Sequence, residues 1–171
     1  LEKIRNLMKR HDVLQIPILD GHGRVVAVEF LQDLVEEDLP NSVLIMAGGF
    51  GKRLGPLTAH MPKPMLDVGG APILESIIRD LSKSGLKKIY IAIHFKGEVI
   101  KSYFGDGAPW GVSINYIEEQ TPLGTGGALT LLPTEAWSSP LILLYGDLVT
   151  TVGYKQMLAF HCDSGSDITM A

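Results

Sequence analysis

VLIMAGGFGKRLGPLTAHMPKPML, residues 43–66, is the stretch whose reading decides the fold. Its first four residues, Val43-Leu44-Ile45-Met46, form a short apolar run that predicts a buried strand. The run breaks into Ala47-Gly48-Gly49-Phe50-Gly51, where a backbone with few side chains lets a ligand come close. Lys52 and Arg53 follow at once, and Lys63 arrives further on. A strand end, bare backbone amides and several cations together suit a polyphosphate. The order predicts a nucleotide site at the carboxyl edge of a sheet.

Two common phosphate motifs do not fit. A P-loop needs Gly, four residues, then Gly-Lys-Ser/Thr. Here Gly51-Lys52 is followed by Arg53, and Met46 stands where the first glycine belongs. The dinucleotide fingerprint needs a glycine where this chain has Leu54. A longer pattern does fit: Ala-Gly-Gly-x-Gly-x-Arg-Leu-x-Pro-Leu-Thr from Ala47 to Thr58, then Pro62-Lys63-Pro64-Met65. It continues through Val68-Gly69-Gly70, Pro72-Ile73-Leu74, Tyr103-Phe104-Gly105-Asp106-Gly107, Pro122-Leu123-Gly124-Thr125-Gly126-Gly127-Ala128 and Gly146-Asp147. On these blocks the chain resembles the sugar-1-phosphate nucleotidylyltransferases, or sugar-nucleotide pyrophosphorylases, from Ser42 to its C-terminus.

That resemblance implies a three-layer, Rossmann-like α/β fold of the nucleotide-diphospho-sugar transferase type, with a mainly parallel sheet. The pattern of the residues agrees. Strand candidates at 43–46, 88–94, 112–117, 141–145 and 167–170 alternate with helix candidates at 72–84, 97–103, 125–132 and 154–162. Pro72 and Gly85 bracket the first of these helices, as a starting proline and a stopping glycine do. The chain opens at Leu1 rather than Met and stops at Ala171 beside a strand-like segment, so a truncated domain is expected.

Residues 1–39 differ from the rest. Helix (1–9), strand (14–19), turn (20–23), strand (24–30) and helix (31–37) resemble the later part of a CBS motif, a module that normally comes in pairs and can bind adenine nucleotides. The organisation expected is a partial, α+β CBS module at 1–39 and the N-terminal part of a nucleotidyltransferase catalytic domain at 40–171, joined by an acidic, proline-broken linker at 36–41. A packing remnant is the plainer reading of the first piece, because so small a sheet rarely stands alone.

The reaction implied by the resemblance is attack of a sugar-1-phosphate oxygen on the α-phosphate of an NTP, with loss of pyrophosphate. The nucleophile is already anionic, so positioning and charge neutralisation must carry catalysis. Arg53, with its planar fork, is expected to neutralise the departing phosphates. Lys63, stiffened between Pro62 and Pro64, is implied to contact the α-phosphate or the sugar phosphate. Ala47, Gly48, Gly49, Gly51, Lys52 and Arg53 line the expected nucleotide site. Lys52 stands where relatives often carry a small hydroxyl residue, so it either adds charge or points outward. Gly124 and Thr125 open a glycine-rich segment that could hold ribose or sugar hydroxyls.

An aspartate at the end of an apolar strand needs a cation or donors. Asp147 is accordingly the expected Mg²⁺ ligand by resemblance. The family's second metal aspartate would fall beyond Ala171, so this chain alone is expected to lack a complete metal site. Glu119, three residues ahead of Pro122, is implied to read the base. Its paired acceptors suit the paired N–H donors of guanine, which favours GTP, while Gln120 is the alternative reader.

Composition bounds the rest. A net charge of −4 argues against general nucleic-acid binding. No apolar run approaches the roughly 20 residues of a membrane span, and no secretory signal pattern opens the chain. The single cysteine, Cys162, excludes an intrachain disulfide, so a cytoplasmic protein is expected. The five histidines lack metal-ligand spacing and read as structural or surface residues. Homo-oligomerisation is left open. Two rival functions stand beside the enzyme: a non-catalytic nucleotide-binding regulatory subunit of the same fold, and an adenine-nucleotide sensor working through the N-terminal piece.

Overall fold

A computed structural model describes residues 2–31, 38–49, 55, 58, 61–119, 121, 123–124 and 126–171. The chain folds as two compact units, Leu1–Glu37 and Asp38–Ala171. In the first, α1 (Glu2–Arg10) precedes an antiparallel hairpin of β1 (Gln15–Leu19) and β2 (Val25–Phe30). The turn between the strands is held by Asp20, whose carboxylate accepts from the backbone N–H groups of His22 (2.8 Å) and Arg24 (2.9 Å). Those bonds, the one from Arg24 foremost, hold the Asp20 carboxyl below its ordinary range. The helix expected at 31–37 lies outside the described residues except for Leu31.

The second unit is built on a parallel sheet of β3 (Leu39–Met46), β4 (Leu86–Ile93), β5 (Ser113–Glu118) and β6 (Ile142–Tyr145), in the order β5-β4-β3-β6. Central β3 pairs in parallel with β4 on one side, Val43 beside Ile89, and with β6 on the other, Val43 beside Ile142. The chain therefore steps outward from β3 through β4 to β5, then crosses back to β6. The direction reverses at β3, and such a reversal opens a crevice at the carboxyl ends of the strands.

Both faces of β3 are buried, as a central parallel strand requires. Val43 and Ile45 enter one apolar cluster with Leu74, Ile78 and Leu81 of α2 (Ile73–Lys83) and Ile100 and Phe104 of α3 (Gly97–Phe104). Leu44 points the other way, into a smaller cluster with Ala92, Ile117, Ala128 and Ala136. Gly85, at φ +83°, follows the end of α2 in the left-handed conformation that stops helices. The last helix is α4 (Tyr154–Ser164). None of the described helices is long and apolar enough to cross a membrane.

Three elements depart from the sequence expectation. Residues 125–132 do not form an α-helix: the described part is a 3-10 segment, Gly127–Leu131. Gly126-Gly127 weakens helix formation there, and Pro133 forces Leu132 into an extended conformation with ψ 139°. The strand expected at 167–170 is absent. Ile168 and Met170 are exposed, and Thr169 Oγ1 instead meets Nδ1 of His161 on α4 at 3.0 Å. Finally, Leu39, Pro40 and Asn41 belong to β3 rather than to a linker. The register shifts between Leu39 and Ser42, where Pro40 has no N–H to give, and the Asn41 amide donates to the Pro140 carbonyl at 2.7 Å.

α2 and α3 are joined by a buried carboxylate. Glu75 accepts from the Arg79 guanidinium at 2.6 Å and from the Tyr103 hydroxyl. The Tyr103 bond, opposed by burial and assisted by Arg79, holds the Glu75 carboxyl below its ordinary value of 4.5. A lowered folded-state value means that this contribution to stability is complete above pH 4.5 and is lost as pH falls through the folded value. Tyr103→Phe should therefore melt several degrees lower than the parent at pH 7, and the gap should narrow below about pH 4.5. Melting curves of the two proteins between pH 7 and pH 3.5 check this.

Candidate functional site

The carboxyl edge of the sheet gathers most of the described residues singled out from the sequence. Ala47 extends the β3 ladder by one bond, its N–H donating to the Ala92 carbonyl at 2.8 Å. Gly48 then passes against His94, where an added Cβ would sit 3.3 Å from the His94 Cβ and backbone nitrogen. Gly49 has open space around it and is exposed. Gly51, Lys52 and Arg53 lie outside the described residues, as do Thr125 and the alternative base reader Gln120.

On the β6 side stands an ion pair. Pro62, extended at φ −67° and ψ 146°, leads into a 3-10 turn, Lys63–Met65, with Pro64 and Met65 buried. This anchors the loop and presents Lys63, whose ammonium pairs with the Asp147 carboxylate. The expected phosphate cation and the expected metal ligand, far apart in sequence, thus meet. Gly146 makes the meeting geometrically feasible. Its N–H donates to the Met46 carbonyl at 2.9 Å, and an added Cβ would lie 3.2 Å from Pro64 Cγ and 3.3 Å from Ala47 Cβ. Gly146→Ala should push the Lys63 loop away from the β3 loop. The expected result is a lower melting temperature, because such overpacking costs about 1–3 kcal/mol. Melting curves of parent and variant check it.

On the other side, Glu119 follows the last residue of β5. Its N–H donates to the Ile93 carbonyl at 3.0 Å, and one carboxylate oxygen accepts from the Leu123 N–H at 3.1 Å. Glu119 is buried at 8% exposure, so its carboxylate is held in a fixed place. Gly124 adopts φ +80°, a turn that other residues enter at a cost. With strands spaced by about 4.8 Å, the ends of β6 and β5, three spacings apart in the order β5-β4-β3-β6, lie roughly 14 Å apart, with the β3 loop between them. A charged end and an acceptor end thus flank bare backbone.

Among the described residues no group of three or more His, Cys, Asp or Glu side chains converges on a metal position. A lone carboxylate is still compatible with magnesium, which takes one or two carboxylates and completes its shell with water and substrate phosphates. Asp147, 29% exposed at its side chain, is accessible for that.

The profile of the nucleotidyl transferase family matches residues 42–171. This chain belongs to the nucleotidyl transferase family. It is 32% identical over 127 residues to the mannose-1-phosphate guanylyltransferase of Mycobacterium tuberculosis, covering 74% of this chain and 35% of that one. It is 35% identical over 128 residues to the D-glycero-alpha-D-manno-heptose 1-phosphate guanylyltransferase of Aneurinibacillus thermoaerophilus, covering 75% and 55%. Among solved structures it resembles HddC from Yersinia pseudotuberculosis complexed with GMP-PN, with a TM-score of 0.64, 31% identity and coverage of 72% and 55%. A putative glucose-1-phosphate thymidylyltransferase from Bacillus anthracis matches with a TM-score of 0.65 and 26% identity over 71% of this chain and 50% of that one. The nucleotidyl transferase unit has the nucleotide-diphospho-sugar transferase fold. The chain spans 35% to 55% of the length of these two curated relatives.

Two residues of this nucleotidyl transferase edge escape sequence reasoning. His94 reads as one structural histidine among five, and nothing local says that it will lie beside both Gly48 and Glu119. Gly146 reads as part of a motif, not as the point where three segments converge. Trp110 packs 5.0 Å from Phe104 and 5.9 Å from Tyr103 between ring centres.

Proposed function

We propose that this chain carries the nucleotide-binding part of an enzyme that transfers a guanylyl group from GTP to a sugar-1-phosphate. The observation that carries the reading is the Lys63–Asp147 pair, set beside the bare Ala47–Gly49 backbone at the switch point of the sheet. In the reaction, a phosphate oxygen of the sugar-1-phosphate forms a bond to the α-phosphorus of GTP. The bond from that phosphorus to the β-phosphate oxygen breaks, and pyrophosphate leaves with the electron pair. No proton need be removed, so the protein's task is to bring polyanions together and hold them in line.

Arg53 neutralises the β- and γ-phosphates with its two-pronged guanidinium, with Lys52 adding charge. Gly51 and the Ala47–Gly49 amides let the phosphates approach the backbone. Lys63 exchanges its Asp147 partner for a phosphate oxygen on the α-phosphate or the sugar phosphate. Asp147 would hold a divalent cation, Mg²⁺ by its oxygen chemistry, which when bound supplies charge neutralisation at the phosphates. Glu119 accepts from the paired N–H groups of guanine; an ionised carboxylate has about four acceptor positions, and the Leu123 N–H uses one. Gly124 and Thr125 hold sugar hydroxyls. The names of the two curated relatives support an acceptor of the manno configuration. The hairpin unit at 1–37 is read as part of a CBS module. The single cysteine, which leaves no intrachain disulfide to form, is the observation behind reading the setting as cytoplasmic.

The test is thermal shift of this chain with each NTP, with and without magnesium. Selective stabilisation by GTP supports the reading, because a ligand that binds only the native state raises its stability. Arg53→Ala should abolish the GTP shift while leaving any AMP shift untouched. Equal shifts with all four NTPs would sink the guanine assignment, and an AMP shift alone would favour the adenine-nucleotide sensor.

A further inference from the structure

We infer that His94 is a positioning residue for base recognition, coupling the Gly48 backbone to the Glu119 carboxylate; the inference rests on the GTP reading above. The geometry starts at the end of β4. Ile93 is the last residue of that strand, and its carbonyl accepts the N–H of Glu119 at 3.0 Å. His94, the next residue, places Nδ1 2.6 Å from the Glu119 carbonyl oxygen. A carbonyl has no proton to give, so Nδ1 carries the hydrogen and donates. The backbone of Glu119 is thus gripped at both ends by consecutive residues of another strand. With N–H and C=O both held, the direction in which its side chain leaves the backbone is set.

The backbone nitrogen and Cβ of His94 meet the strand-end loop. Gly48 runs so close that even a methyl group there would stand 3.3 Å from the His94 Cβ. The ring's own backbone is held as well. Lys96 turns the chain in the left-handed conformation at φ +53°, and Gly97 packs on Ile93 where an added Cβ would fall 2.8 Å from Cδ1. His94 therefore touches the strand-end loop through its backbone and Cβ and the backbone carbonyl of the base-reading Glu119 through its ring. It needs no contact with the base. Its work is to hold Glu119 oriented, so its loss should cost discrimination between bases and spare the phosphate side at β6.

The experiment compares the parent chain, His94→Ala and His94→Asn. Asparagine puts an amide N–H two bonds from Cβ, where histidine has Nδ1, so it can keep the bond to the Glu119 carbonyl. Affinities for GTP, UTP and inorganic tripolyphosphate are measured with magnesium, and melting temperatures alongside. The expected result is that His94→Ala lowers the GTP-over-UTP preference by about 10-fold with tripolyphosphate affinity unchanged, and that His94→Asn restores most of the preference. If His94→Ala keeps the parent's preference, the assignment is wrong. It is equally wrong if both variants lose GTP and tripolyphosphate alike, since that is general damage. A parent chain with no preference for GTP overturns the base-site reading itself, which is a separate failure from that of His94.

Discussion

Asp147→Asn should abolish the magnesium-dependent part of GTP binding, weakening the magnesium-bound complex at least about 10- to 100-fold, the range that even supporting residues of metal sites produce. The neutral amide keeps the shape of the side chain and loses the charge that a hard cation requires. GTP binding without magnesium should be unchanged or slightly stronger, because a carboxylate repels phosphates. Stability should barely move. The Lys63–Asp147 pair is partly exposed, at 41% and 29%, and such pairs contribute at most about 1 kcal/mol. Titration of GTP into parent and variant, with magnesium and with a chelator, separates the outcomes. A variant that retains the full magnesium effect would remove Asp147 from the metal site.

Lys63→Ala has a different signature. Losing one charge-assisted hydrogen bond to a phosphate costs about 1.5–3 kcal/mol, or roughly 10- to 100-fold in affinity. That loss should appear with or without magnesium, since in the proposed site the ammonium acts on the phosphate directly. Magnesium should still strengthen what binding remains, because Asp147 is then released from its partner. The stiff approach through Pro62 and the buried Pro64 makes substitution by a longer or shorter cation a poor replacement. Equal GTP affinity in Lys63→Ala and parent would show that the lysine serves only Asp147. The two variants form a pair of opposite tests: one removes the response to magnesium, the other the response to phosphate charge.

Much of the fold is legible in the amino-acid sequence itself. The apolar run from Val43 to Met46, breaking into glycines, announces a central strand followed by a bare loop, because backbone approach to a ligand needs small residues. Pro72 and Gly85 mark the ends of α2 for stereochemical reasons local to each residue. Local rules fail where the answer depends on distant partners. Ile168-Thr169-Met170 has β-favouring residues but pairs with no described strand, and Thr169 bonds back to His161 instead. Pro40 has the look of a linker residue, yet the register shift between Leu39 and Ser42 absorbs its missing N–H and lets β3 begin early. Gly126-Gly127 reads as the opening of a helix, but Pro133 lies too near to let one grow.

The site divides in the same way. Residue types alone determined that this chain presents glycine-rich backbone, cations and a strand-terminal carboxylate, because those chemistries are properties of side chains and of their absence. Arg53 is known only at that level. Tertiary structure decided the pairings: Lys63 with Asp147, Glu119 with Leu123 and His94, and Gly146 against Pro64 and Ala47. Each joins segments that the order β5-β4-β3-β6 brings to one edge. The physical reason is that composition sets what a group can bind, while strand order and register set which groups share a place to bind it.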